Sequence, residues 1–192
     1  VEKKCVTLIT GSATERDTES PLAINLGVAI SRGDRMDLVV QKATELGAGE
    51  ITPLFTERTE VKLSAERALK KYRHWQQIII SACEQCGRNR LPKLHSPESL
   101  GQWLPHTRGD RKFVLHHRNT EDVGATTVPA HIDLLIGPEG GLSQAEIDIA
   151  HTCGFEALSL GPRVLRTETA PLAALAILQA RWGDMDPGNQ GR

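Results

Sequence analysis

The sequence has no long hydrophobic run, no cysteine framework and almost no net charge, and each absence excludes something. Nothing in its 192 residues approaches the ~18 consecutive apolar residues that a membrane-spanning helix needs. No charged-then-apolar leader opens the chain either, so a soluble, cytosolic protein is expected. Four scattered cysteines, Cys5, Cys83, Cys86 and Cys153, are too few for a disulfide scaffold and fit a reducing compartment. Cys83 and Cys86 have C-x-x-C spacing, but no second pair completes a zinc site, so no metal is expected. Inside a helical pattern that spacing puts both thiols on one packing face. No G-x-G-x-x-G and no P-loop follows any candidate strand, which removes the common dinucleotide and nucleotide-triphosphate readings. There is no internal repeat. A net charge of -1 speaks, on its face, against a polyanionic partner.

What is present is an ordinary globular composition, 39% hydrophobic and 24% charged, long enough for one domain or one domain and a fragment. A chain of this size buries roughly 70% of its unfolded surface and needs no staples. The chain opens at Val1, and residues 1–20 read as a short strand, Cys5–Ile9, followed by a polar linker with no apolar period. The main domain is expected over 21–183, with a Gly-, Asp- and Pro-rich tail, 184–192, expected to be disordered.

Within 21–183 strand and helix signals alternate. Ile24–Ile30 is an apolar run of strand length. Met36, Val39, Val40, Ala43 and Leu46 then recur at helical period up to a stop at Gly47. Ile51–Phe55 is a strand broken by Pro53, which should make it short or place it near an edge. Ser64 caps a long helix that ends at Gly87, its buried stripe being Leu69, Tyr72, Trp75, Ile79, Ala82 and Cys86. Strands are expected at Phe113–His117, Asp133–Ile136 and Glu156–Leu160. Ser143 and Glu146 form a capping box ahead of a helix that stops at Gly154, and a final apolar helix runs from Thr169 to Trp182. This alternation predicts an α/β domain with a mostly parallel sheet flanked by helices.

In such sheets ligands bind at the carboxyl ends of strands. Two loops stand there. Ile136-Gly137-Pro138-Glu139-Gly140-Gly141 carries little side-chain bulk, so a ligand can approach its backbone, and the helix start beyond it would favour an anion. Leu160-Gly161-Pro162-Arg163-Val164-Leu165-Arg166-Thr167-Glu168-Thr169-Ala170 sets two arginines and a glutamate against an apolar helix, where they need partners or a ligand. Charge is also uneven. Residues 58–95 hold nine basic and three acidic residues, a net +6 against -7 for the rest, so a local anion-attracting face survives the neutral total. Arg88-Asn89-Arg90, after a helix stop, suits phosphate contact.

Four motifs together resemble one family: Gly33-Asp34-Arg35-Met36 with Gln41–Gly47; Glu84-Gln85-Cys86-Gly87-Arg88; the 136–141 loop; and the 160–170 segment. In this order, over about Pro21–Gly183, they are similar to the RsmE family of bacterial small-subunit ribosomal RNA methyltransferases. The resemblance implies the SPOUT fold with a C-terminal trefoil knot, S-adenosylmethionine as cofactor, N3 of a uridine in 16S ribosomal RNA as target, and a homodimer with its pocket beside the partner subunit. It also implies a small N-terminal PUA-like RNA-binding barrel, of which Cys5–Ile9 would be the last strand. Ile136, Gly137, Pro138, Glu139, Gly140 and Gly141, with Leu160, Gly161, Val164, Leu165, Arg166, Thr169 and Ala170, would then hold the cofactor. Arg88, Arg90, Arg163 and Lys62 would face the RNA, with Arg166 beside them.

Uracil N3 is protonated at neutral pH and a poor nucleophile, so the enzyme must align it, remove its proton and stabilise charge growing on O2 and O4. Glu139 or Glu168 is the expected base, and Arg166 or Arg88 the expected stabiliser. A C5-methylating route would need a thiolate, which helix-face cysteines do not offer. Two other readings stay open on the sequence: ribose 2′-O-methylation on the same fold, and a catalytically silent RNA-binding assembly factor.

Overall fold

A computed structural model describes residues 7–12, 17–61, 63–115 and 127–185. Its core is a parallel sheet. The elements in chain order are β1 (Ala23–Ala29), α1 (Arg35–Glu45), β2 (Ala48–Phe55), α2 (Ala65–Cys86), β3 (Lys93–Leu94), β4 (Glu98–Ser99), α3 (Leu100–Trp103) and a 3₁₀ turn at Leu104–His106. Then come β5 (Arg111–Leu115), β6 (His131–Ile136), α4 (Gln144–Thr152), β7 (Glu156–Leu158) and α5 (Thr169–Trp182). Every described strand pair is parallel, in the order β3-β2-β1-β6-β5-β7, with β4 also paired to β2.

The sheet is covered on both faces, which is why its central strands are apolar almost throughout. Ile24, Leu26 and Val28 of β1 and Ile132, Leu134 and Ile136 of β6 meet α1, α2 and α5 through Val39, Trp75, Leu175 and Leu178. Leu54, Val114 and Leu135 point the other way, into a smaller cluster with Trp103, Ile147 and Phe155. Gly27 is what lets that second layer close. A Cβ there would lie 2.6 Å from the Trp103 ring, so only glycine admits the indole against the strand.

The expected elements form with small shifts at their ends. Ser64 Oγ accepts from Arg67 N, and Gly87 takes φ +80° beyond the last turn of α2. Two expectations are corrected. Pro53 does not mark an edge, since β2 lies between β1 and the β3/β4 pair. Leu54 O accepts from Ile30 N on the β1 side and Ile51 O accepts from His95 N on the β3 side, so the Pro53 nitrogen faces the gap between β3 and β4, where no ladder bond is lost. Leu69, expected in the buried stripe, is exposed.

Residues 17–20, expected as linker, are docked on the domain. Thr18 Oγ1 donates to Gly87 O at 3.0 Å and Ser20 Oγ to Gln179 Oε1 at 2.6 Å. Of the expected strand at Cys5–Ile9, residues 7–9 are described and form none: Leu8 and Ile9 are exposed, with no strand beside them. Cys5 and residues 186–192 of the expected tail lie outside the described residues. No helix among the described residues is long and apolar enough to cross a membrane.

Candidate active site

The glycine-rich loop leaves β6 at Ile136 and turns back to α4. Gly141, at φ +68°, donates its N–H to Pro138 O at 2.8 Å and closes the turn. Gly137 is packed so tightly that a Cβ would fall 2.9 Å from Leu142 Cγ and 3.0 Å from Leu142 N. The capping box is complete: Ser143 Oγ accepts from Glu146 N at 3.3 Å and Glu146 Oε2 from Ser143 N at 2.9 Å. Glu146 Oε1 also accepts from Glu57 N at 2.8 Å, tying the β2–α2 loop to this helix start. The expected anion site at the α4 N-terminus is thus filled by the protein's own carboxylate.

The second loop runs from β7 to α5. Gly161 sits at φ +99°. Arg166 O accepts from both Thr169 N and Ala170 N at 2.9 Å, which starts α5. Leu160 and Leu165 pack against the main core, and Thr167 is buried.

These two loops, well separated in sequence, line one cavity of about 280 Å³ at the carboxyl ends of the central strands. That is near the lower end of small-molecule pockets, roughly 300–1,000 Å³. Its apolar side comes from Ile136, Leu142, Leu160, Val164, Leu165 and Ala170, with Leu115 from β5; the polar rim is Arg58, Glu139, Arg163 and Thr167. Gly137, Pro138, Gly140, Gly141 and Gly161 expose backbone to the same space. Among the residues expected to hold a ligand, Arg166 and Thr169 are off the wall: both are exposed, and Arg166 contributes its carbonyl to the helix start. Glu168, half-buried in the N-cap position of α5, makes no side-chain capping bond and is also off the wall.

Sequence reasoning missed Arg58, counted there only as part of a basic segment. Its Nη1 donates to Gly140 O at 2.8 Å and Leu142 O at 3.4 Å. Its stem covers Gly140, where a Cβ would meet Arg58 Cδ at 3.4 Å. The signal available in the sequence was position alone: Arg58 follows the end of β2, at the same edge of the sheet as the loop. Glu139 is ion-paired with Arg35 from the first turn of α1.

Arg88 is corrected outright. Its guanidinium is 7% exposed, paired with Glu19, and donates through Nη1 to Thr44 O at 2.8 Å and Ala48 O at 3.0 Å, with Nε to Glu19 Oε1 at 3.1 Å. Ala48 begins β2 and Phe55 ends it, so Arg88 lies about 23 Å along the strand from the cavity side, at ~3.3 Å per residue. It neither stabilises reacting oxygens there nor offers donors to RNA. Arg90 is exposed and paired with Asp17 at 3.0 Å, on the same side as Arg88. Arg163 is exposed on the cavity rim; Lys62 lies outside the described residues. Cys83 is buried and packs as expected, and burial pushes its thiol up, away from thiolate chemistry. No group of three or more metal-ligating side chains occurs among the described residues.

Residues 18–179 match the family model of the RNA methyltransferase domain. The chain is 41% identical over 174 residues to the ribosomal RNA small subunit methyltransferase E of Buchnera aphidicola, covering 88% of this chain and 70% of that protein. It is 34% identical over 188 residues to the Bacillus subtilis protein of the same name, covering 93% and 73%. Among solved structures, a Neisseria gonorrhoeae ribosomal RNA small subunit methyltransferase E bound to S-adenosylmethionine superposes with a TM-score of 0.83 at 43% identity, covering 89% of this chain and 72% of that one. A Legionella pneumophila methyltransferase structure with bound S-adenosylmethionine gives 0.86 at 49% identity, covering 89% and 71%. The sheet and its flanking helices are thus those of the SPOUT-type RNA methyltransferases.

Proposed function

This chain belongs to the ribosomal RNA small subunit methyltransferase E family, and from that premise we propose that it transfers a methyl group from S-adenosylmethionine to N3 of a uridine in 16S ribosomal RNA. The observation that carries this reading is one cavity built jointly by the 136–142 and 160–170 loops, two of the four segments that bear the family's motifs. The cavity fits the cofactor's chemistry. A flat adenine suits aliphatic walls and bare backbone, and Gly137, Gly140, Gly141 and Gly161 add no side-chain bulk to the lining. Ile136, Leu160, Leu165 and Ala170 would hold the base, while Arg58, Arg163 and Thr167 would meet the polar end. The knot implied by the resemblance is proposed for these same two loops.

When bound, the cofactor supplies an electrophilic methyl on a positively charged sulfur. Glu139, on the rim, takes the N3 proton as the base. N3 forms its bond to the methyl carbon while the carbon–sulfur bond breaks, its electron pair staying on sulfur. Arg58 and Arg163, on the same rim, would stabilise the charge that grows on the uracil oxygens. Arg166 holds the start of α5 through its carbonyl, and Glu168, beside it at the N-cap position, takes no direct part in the transfer. The protein works as a cytoplasmic homodimer; support for the dimer is that α5 is apolar on nearly every side yet leaves Ile177 exposed.

Glu139→Gln should lower the single-turnover rate about 10²-fold or more while changing cofactor affinity less than about twofold. Equal loss of both would remove Glu139 from the proton path.

A further inference from the structure

A second cavity, of about 160 Å³, adjoins the first across the glycine-rich loop. The two share Arg58, Pro138, Glu139 and Gly140, and the second is closed on its far side by Ile30, Ser31 and Arg32 beyond β1 and by Glu60 and Val61. Arg32 and Glu60 form an exposed ion pair at 2.8 Å across its mouth. Ser31 is 8% exposed, and its Oγ is fully enclosed with no hydrogen-bond partner among the described residues. A buried hydroxyl without a partner carries a desolvation penalty of about 1–3 kcal/mol, which is retained where a ligand supplies the missing bond. Arg58 lines both cavities, and its Nη1 donates to the carbonyls of Gly140 and Leu142 in the loop between them.

Resting on the methyltransferase reading above, we propose that this second cavity is the seat of the target pyrimidine, and that Ser31 is a specificity-determining residue that reads its edge. Uracil presents an acceptor, a donor and an acceptor in a row: O2, N3–H and O4. The wall presents the complement, with Ser31 and Arg58 as donors and Glu139 as acceptor between the two cavities. A ring seated there can put N3 at the boundary shared with the cofactor cavity, since Glu139 lines both. Cytosine would replace one carbonyl by an amino group, set donor against donor, and leave the Ser31 hydroxyl buried and unpaired. The volume is that of about five waters at ~30 Å³ each, room for one unstacked base and not for a base pair.

The test uses the full-length protein, S-adenosylmethionine with a labelled methyl group, and small ribosomal subunits lacking the modification, with either uridine or cytidine at the target position. Ser31→Ala, Ser31→Val and Ser31→Thr are compared with wild type by single-turnover rate and by calorimetric cofactor affinity. The expected result is that Ser31→Ala and Ser31→Val lose about tenfold in rate on uridine, narrow the uridine-over-cytidine ratio by a similar factor, and bind cofactor within about twofold of wild type. Ser31→Thr, which keeps the hydroxyl, should retain most of the rate. Wild-type rate and selectivity in Ser31→Ala would overturn the proposal. So would a parallel loss of cofactor affinity in Ser31→Ala, which would assign the cavity to the cofactor. If wild type labels ribose, or labels nothing while binding cofactor, the function itself is wrong and the subsite falls with it before any variant is compared.

Discussion

At the edge where the strands begin, Arg88 is enclosed and bonded on three nitrogens to Glu19, Thr44 O and Ala48 O. Asp133 nearby is buried against Asn25 and Gly109 N, and Gln179 holds Ser20. At the edge where the strands finish, Arg163 and Arg166 are exposed and Ser31 is buried without a hydrogen-bond partner among the described residues. Arginine thus serves stability at one edge, through Arg88, and lines the cavity at the other, through Arg58 and Arg163. What separates them is where the guanidinium stands: enclosed and bonded at the first edge, on the cavity wall at the second. An arginine in a motif says little until its donors are counted.

The largest effect should come from removing the satisfied arginine. Arg88→Ala leaves the Glu19 carboxylate and two carbonyls in a nearly closed site and should cost about 3–5 kcal/mol in urea denaturation, with cofactor affinity of the folded protein unchanged. A cofactor defect larger than the stability defect would break the division between the edges. Gly137→Ala should come next, since its Cβ has to displace the Leu142 backbone. We expect a loss of about 1–3 kcal/mol in stability and about tenfold or more in calorimetric cofactor affinity. Arg58→Ala should leave stability nearly intact yet weaken the cofactor about tenfold, because the loop carbonyls of Gly140 and Leu142 lose a charged donor worth about 1.5 kcal/mol. An unchanged affinity would return Arg58 to an ordinary surface role.

The smallest effect is a pH effect at the strand-start edge. Asp110 accepts from His131 N and Ala130 N at 2.9 Å each, and these bonds hold its carboxyl below the usual range. A lowered carboxyl stabilises the fold above the unfolded value, ~3.9, and that contribution fades as pH falls through the lowered folded value. Asp110→Asn should therefore flatten the acid limb of the stability curve below about pH 4 and leave pH 7 kinetics alone, as followed by thermal melts across pH.

Much of this was legible in the sequence where local chemistry decides the outcome. Ser64 and Gly87 bound α2, and Ser143 with Glu146 starts α4, because caps are short-range. The two loops stood out because runs of glycine and proline between strand and helix have few other uses. Residues 93–106 escaped notice: β3 and β4 are two residues each and α3 is four, too short for any period to appear. Arg58 and Arg88 were misread for a common reason. Each is fixed by partners far along the chain, Gly140 for one and Glu19 for the other, and no spacing within the sequence brings those residues together. Pro53 was placed at an edge because the gap between β3 and β4 is a property of the sheet and not of β2.

The central claim is that the cavity between the two C-terminal loops holds S-adenosylmethionine and delivers its methyl group to uracil N3. The most direct measurement is mass spectrometry of nucleosides from small-subunit ribosomal RNA after incubation with labelled S-adenosylmethionine, the full-length protein and its Glu139→Gln variant. Label on N3-methyluridine with the wild type, strongly reduced in the variant, is the predicted result. Label on a ribose, on another base, or on nothing at all would contradict it.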